Sequence, residues 1–304
     1  MKPVLDTRLA ALRRFAIAIT VLNIAGHTVL GFEQSYAQPI FSLLTAYSIE
    51  LFLEYIQSVA HGRRPRFLQG GLVGFVDFML PAHITGLAVA MLLYANSRII
   101  PVIFASGIAV CSKAIFTIKQ PYGSRHFFNP SNFGITVTLL FLPSVGITPP
   151  YMFTEGLGPV GSVLLPAFIV MTGTLLNFKL THRIPLLLSW AGAFILQDVI
   201  RHFLFGAAFL PVLGVMTGVT FLLYTFYMIT DPATTPVSAK GQVFFGVSVG
   251  LLYGALVIAH IVFGMFFALT FVCLCRGIVL ALEPAPAPVK VPAQRKEPAL
   301  AAIQ

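Results

Sequence analysis

The residues with chemical potential lie in two settings: ionisable side chains inside apolar stretches, and two short polar breaks. Glu50 and Glu54 are four apart and share one face of a helix. Asp77 and His83 follow in the next apolar run, and Lys113 near the end of the one after. Asp198 and His202 are again four apart, beside Arg201, while His27 and His260 fall near run ends. Groups of this kind are costly in a membrane and point to ion, proton or ligand handling, or to ion pairs that hold helices together. Glu54, Asp77 and Lys113 fall at similar depths, which predicts a buried acid–base cluster, either a structural ion pair or a ligand contact. Asp198 with Arg201 or His202 reads first as an interfacial pair. No nucleophile–base arrangement, phosphate-binding loop or metal-spaced His/Cys set is visible, so no metal site is expected.

The breaks are Phe127-Phe128-Asn129-Pro130-Ser131 and Thr230-Asp231-Pro232, the latter followed by Thr235-Pro236. Proline removes a backbone donor and keeps its predecessor out of the α region, so a helix should stop at each. A helix restarting after Pro130 or Pro236 presents unpaired N–H groups and a positive dipole end, suited to an anionic or polar ligand. Ser131 and Thr235 read as caps for those ends. Asn129 and Asp231 fit capping and ligand contact equally.

The elements that must position these residues are membrane helices. The chain of 304 residues is 57% hydrophobic and only 10% charged, against about 25% charged in soluble domains, and its mean hydropathy is +0.89. Apolar segments at 15–32, 38–60, 70–94, 98–117, 132–145, 158–178, 183–205, 209–229, 241–258 and 260–282 predict an all-α integral membrane protein of about ten spans. The fifth and ninth are short and read as partial or tilted. Residues 1–14 form a basic lead, 15–282 the membrane domain, and the Pro- and Ala-rich 283–304 an extended or disordered tail. Residues 15–32, though followed by Ser35-Tyr36-Ala37, read as the first span rather than as a cleaved signal.

With the N-terminus in the cytoplasm, every Lys and Arg except Arg98 and Arg201 falls in or beside cytoplasmic connections or tails. That asymmetry predicts an inner-membrane protein with both termini cytoplasmic. It also accounts for the net charge of +9 without nucleic acid as a partner, the bilayer being the partner expected. Cys111, Cys273 and Cys275 read as small core residues. Leu80-Pro81-Ala82 recurs as Leu165-Pro166-Ala167, and Arg98 recurs at the same offset as Arg183, a faint echo suggesting inverted repeats.

Lys113 within Ser112-Lys113-Ala114, then Phe127-Phe128-Asn129-Pro130, Thr230-Asp231-Pro232, Thr235-Pro236, Lys240-Gly241 and the closing Phe263 to Ala268 follow one another in an order that resembles the RnfD/NqrB family of membrane redox subunits, over roughly residues 70–275. The resemblance is greatest to shorter, stand-alone members, including those encoded beside enediyne polyketide genes. It implies ten helices in two inverted repeats with broken helices, similar to ammonium and urea channels, holding FMN or riboflavin and passing electrons within or across the bilayer. It implies cofactor contacts at Lys113, Phe128, Asn129, Pro130, Asp231, Pro232 and Thr235, and other redox or biosynthetic subunits as partners. In the family's complexes FMN is attached to a threonine in a Ser-Gly-Ala-Thr-like motif after span five. The corresponding loop here, Pro143 to Gly158, offers Thr148 and Thr154 but no such motif, which counts against covalent attachment and leaves a non-covalent flavin. The alternative is a small-solute transporter or channel on the same fold, with Glu50, Glu54, Asp77 and Lys113 along its path.

Overall fold

The computed structural model describes residues 4–32, 34–120, 123–147, 153–154 and 156–283. Two long helices, α1 (Val4–Thr28) and α2 (Ala37–Ala60), lead to α3 (Gly71–Leu92), α4 (Ile100–Ile115) and α5 (Pro130–Phe141). The second half contains α6 (Pro159–Leu176), α7 (Ile184–Phe205), α8 (Phe209–Val215), α9 (Val219–Leu223), α10 (Ala239–Ile258) and α11 (Gly264–Leu282). Among the described residues seven helices are long and apolar enough to cross a membrane, or eight if α8 and the helix Val219–Met228 that begins with α9, bent by 63°, form one span. The protein is therefore an all-α membrane protein with a few short strand pairs.

The expected spans at 98–117 and 132–145 become α4 and α5, of 16 and 12 residues. At about 1.5 Å per residue neither covers the roughly 30 Å of a hydrocarbon core. The chain leaves α4 into a hairpin, β2 (Thr117–Gln120) with β3 (Gly123–His126), and re-enters at Pro130. Most of α5 is buried by protein, so its length need not match the lipid. The ninth segment differs from expectation: α10 runs a full 20 residues because Ser238 caps it through Gly241 N. At the opposite end, β1 (Leu93–Tyr94) pairs with β4 (Gly146–Ile147), and Arg98 donates to Ser144 Oγ.

The core lies where α7, α9, α10 and α11 meet, around Trp190, Phe194, Tyr224 and Phe266, all fully buried. Trp190 Nε1 and Tyr224 O–H find Thr225 Oγ1 at 2.9 Å and Met265 O at 2.8 Å, so neither ring leaves a polar atom stranded. Cys273 belongs to this core, but Cys275 is exposed and corrects the reading of all three cysteines as core residues. Every fourth residue on the buried face of α10 is glycine. A Cβ on Gly250 would stand 2.5 Å from Ala193 Cβ, and one on Gly254 would stand 2.7 Å from Gln197 Cβ. Backbone proximity of this kind is how membrane helices gain dispersion energy without a hydrophobic drive. Pro81 and Pro166, the paired prolines of the sequence echo, both lie inside helices, α3 and α6.

Gly250→Val is expected to cost about 1–3 kcal/mol through overpacking, whereas Gly192→Val, on the same pair of helices but with nothing within 4 Å of its Cβ position, should change little. Thermal denaturation of both variants in detergent checks this.

Candidate functional site

The two breaks meet. Asn129 is the N-cap of α5: its Oδ1 accepts from Asn132 N and from Ser131 Oγ, both at 3.0 Å. Its Nδ2 donates across the bundle to Met228 O at 3.1 Å and lies 3.5 Å from Asp231 Oδ2. Met228 ends a π-helical turn, Tyr224–Met228, that carries the chain from α9 into the Thr230-Asp231-Pro232 break. A wide turn leaves carbonyls without their usual partners, and such turns gather at functional sites. Here Phe226 O accepts from Asn177 Nδ2 and Thr230 Oγ1, at 2.9 and 2.6 Å. Asp231 folds back on its own turn, accepting from Ala233 N at 2.9 Å.

Capping thus falls to Asn129 and Ser238, correcting the assignment to Ser131 and Thr235. Ser131 donates to the cap residue, and Thr235 Oγ1 donates to Asp231 O at 2.7 Å while accepting from Arg183 Nε.

A cavity of about 270 Å³ opens at this junction and runs between α1, α3, α6 and α9. Its wall carries the polar side chains Lys113, Arg125, His126, Asn129 and Asp231, with Pro130 and Pro232 among them; Arg125 is exposed and marks the mouth. The rest of the wall is largely apolar, with Leu22, Ile84, Ala88 and Leu223, of which Ala88 and Leu223 are buried. Phe15 and Tyr227, stacked at 5.3 Å, stand on its wall, and Tyr227 O–H reaches Thr172 Oγ1 at 3.1 Å. Five of the residues expected at a cofactor therefore converge: Lys113, Asn129, Pro130, Asp231 and Pro232. Phe128 and Thr235 do not line the cavity. Phe128 is buried among Phe116, Phe127 and Phe133, and Thr235 is engaged behind the turn.

The acid–base cluster expected of Glu54, Asp77 and Lys113 is not formed; each finds a separate partner. Glu54, almost fully buried, is clamped by Arg63 and Arg66 at 2.5 and 2.8 Å and also accepts from Arg66 N. Asp77 takes both its bonds from Arg13, at 2.7 and 2.6 Å. Lys113 pairs with Glu50 at 2.6 Å. A low-dielectric setting favours this outcome, since one shared cluster would leave a carboxylate unpaired.

His83 sits between Thr20 and Tyr47. Thr20 Oγ1 spends its hydrogen on Ala16 O, so it accepts from His83 Nε2 at 2.7 Å, and Tyr47 O–H donates to Nδ1 at 2.5 Å. Asp198 is fully buried, 3.9 Å from Arg201, while His202 turns to Ala207 O. The interfacial pair is thus with Arg201. Tyr36 donates to the backbone oxygen of His27, and His260 closes α10 in a left-handed conformation. Thr154 is buried but is not on the cavity wall; Thr148 and the tail from 284 lie outside the described residues.

Sequence reasoning missed Arg125, Arg183 and Arg276, which all reach the Asp231–Thr235 turn, and Phe15 and Tyr227 on the cavity wall. Pro121 to Gly123 between short polar alternations was a usable hairpin signal for Arg125. The other contacts join residues far apart in the chain.

Asn129→Ala removes a cap, about 1 kcal/mol, and the better of the two donors to the Met228 carbonyl, which keeps only Asp231 N at 3.4 Å, about 0.5–1.5 kcal/mol more. Asn129→Asp keeps a capping oxygen, yet it loses the cross-break donor and sets a carboxylate beside Asp231. It is expected to be no more stable than Asn129→Ala, while Asn129→Ser recovers part of the loss; thermal midpoints of the three in one detergent decide. Comparison of the chain with protein-family models and with curated proteins finds no match to either.

Proposed function

We propose that the protein is a membrane-embedded electron-transfer component that binds a flavin non-covalently and passes electrons within or across the bilayer, as the resemblance to RnfD/NqrB-type subunits implies. The carrying observation is the cavity at the junction of the two proline breaks, whose wall joins a polar set of side chains to an apolar and aromatic one. At about 270 Å³ it stands near the lower range of small-molecule pockets, about 300–1,000 Å³.

The lining fits a flavin. An isoalloxazine ring has one apolar aromatic edge and one edge of alternating donors and acceptors. Phe15 and Tyr227 offer ring faces on the wall, and Asn129, Asp231 and His126 belong to its polar part. When bound, a flavin supplies one- and two-electron transfer. The chain's own contribution is to hold and orient it: the break residues fix the polar edge, the apolar part of the wall excludes water, and Lys113 with its Glu50 counterion adds a charged group to the polar part. Glu50, Glu54 and Asp77 are all held in ion pairs off the cavity wall, which favours binding over solute passage.

The fuller reading places ten spans in two inverted repeats, the basic end toward the cytoplasm with both termini there, and the protein in the inner membrane. The asymmetry of Lys and Arg supports that orientation. Other redox or biosynthetic subunits would meet the basic end, which includes the β2–β3 hairpin.

Protein purified in mild detergent is expected to show flavin absorbance that is released on denaturation, or to take up FMN or riboflavin when either is added. Ala88→Trp, which fills the cavity, should abolish uptake in protein that still elutes as a folded species. Absence of flavin before and after denaturation, with no uptake of either compound, overturns the reading.

A further inference from the structure

The turn between Asp231 and Thr235 receives three guanidinium groups from three elements. Arg125 on β3 donates through Nη2 to Pro232 O at 3.2 Å. Arg183, at the start of α7, donates through Nε to Thr235 Oγ1 at 2.9 Å and through Nη2 to Pro232 O at 3.4 Å. Arg276 on α11 donates through Nη1 to Thr234 O at 3.0 Å. All these acceptors are neutral. Among the described residues no carboxylate lies within 4.0 Å of any of the three, although Glu50, Glu54, Asp77 and Asp198 each have a basic partner within that distance.

The nearby acids are Asp231, whose oxygens already accept from Ala233 N and face Thr234 and Asn129, and Glu283, which acts on Arg276 from beyond ion-pair distance. Three positive charges thus share two negative charges. Arg183 is only 5% exposed. Burial pulls its guanidinium below the ordinary value; Asp231 opposes that shift, and Arg125 and Arg276 reinforce it. Excess buried charge of one sign is costly unless an opposite charge joins it. Each guanidinium carries five N–H donors in a planar fork suited to oxyanions, and the bonds described here use one or two of them. Arg125 also lines the cavity, as do Lys113 and His126, while Arg183 and Arg276 hold the turn from outside it.

We propose that the cavity mouth binds an oxyanion of phosphate type, carried by a molecule whose apolar or aromatic body fills the cavity. Two sources share this chemistry: the phosphate of FMN and the phosphate of an anionic phospholipid. The FMN source rests on the flavin reading above; the anion site does not.

The test uses the full chain in nanodiscs. In phosphatidylcholine discs, FMN and riboflavin are titrated separately and flavin fluorescence is followed. Binding of FMN roughly ten- to a hundredfold tighter than riboflavin is expected, as for charge-assisted hydrogen bonds. Arg125→Gln, on the exposed hairpin, should bring the FMN and riboflavin affinities to the same value, and Arg276→Gln should narrow the gap between them. In discs containing phosphatidylglycerol, native mass spectrometry shows whether the chain retains that lipid and whether Arg125→Gln releases it. Retention without an FMN preference supports the site with lipid as the source, even if no flavin binds. Equal FMN and riboflavin binding with no retained phosphatidylglycerol overturns the anion site and leaves the flavin reading standing. Absence of flavin binding and of lipid retention overturns both.

Discussion

Asn129 joins the two interruptions with one side chain, its oxygen on the start of α5 and its amide on the end of the π-helical turn. The constraint behind this is that lipid supplies no hydrogen-bond partners, so a helix broken at membrane depth must have its free N–H and C=O groups met by protein. Proline breaks create such groups on purpose. Hydroxyls of Thr230 and Thr235 meet carbonyls within the second break, but the link between the breaks is an amide, because an amide can accept at one break and donate at the other. A serine at 129 could cap α5 but could not also span to Met228. Asn177 plays a related part, bonding both Gly173 O and Phe226 O. The cavity exists because these links hold the broken ends side by side while neither chain continues through the gap.

Charge is handled in two ways. Around α1 to α4, opposite charges are matched locally, Arg13 with Asp77, Arg63 and Arg66 with Glu54, and Lys113 with Glu50. These pairs fasten the ends of neighbouring helices, and their partly exposed members gain little net stability. Around the second break the arginines are instead spent on carbonyls. That choice satisfies the orphan oxygens of a non-helical turn, but it leaves three cations with fewer acids, Asp231 and Glu283, near them. The same residues that make the turn structurally sound make it electrostatically hungry.

Much of this was legible in the sequence, and for a clear reason. Membrane character follows from composition, and the breaks follow from proline, whose effect on the backbone is local. Lys113, Asn129 and Asp231 were found because each is polar in an apolar neighbourhood. What the sequence could not settle was pairing. Asp77 meets Arg13 and Glu50 meets Lys113 across more than sixty residues, and similar depth in separate helices does not say which faces meet. The capping assignment failed for a different reason: serine and threonine are good caps in general, yet here the spanning bond to Met228 required an amide. The repeat of glycines at 246, 250 and 254 was visible as spacing, and its meaning, a seam against α7, needed the partner helix. Arg183 matched Arg98 by offset, yet Arg98 is exposed at the opposite end, so equal spacing carried no equal environment.

The lining of the cavity bears on what it can do. The wall joins the polar Arg125, His126 and Asp231 to the apolar Ile84, Ala88 and Leu223, and Glu50, Glu54 and Asp77 are engaged in ion pairs elsewhere. A path for a polar solute needs polar groups at intervals, because each desolvated step otherwise costs several kcal/mol, roughly 2–7 for an unpaired amide or hydroxyl. A site for an amphiphile needs the reverse, one polar end and one dry one. Tyr227 shows how the dry part is kept: its ring joins the wall while its hydroxyl is turned to Thr172, so the aromatic face is offered without a stranded polar atom. A planar ligand with a polar edge and an anionic tail matches both parts of that wall at once.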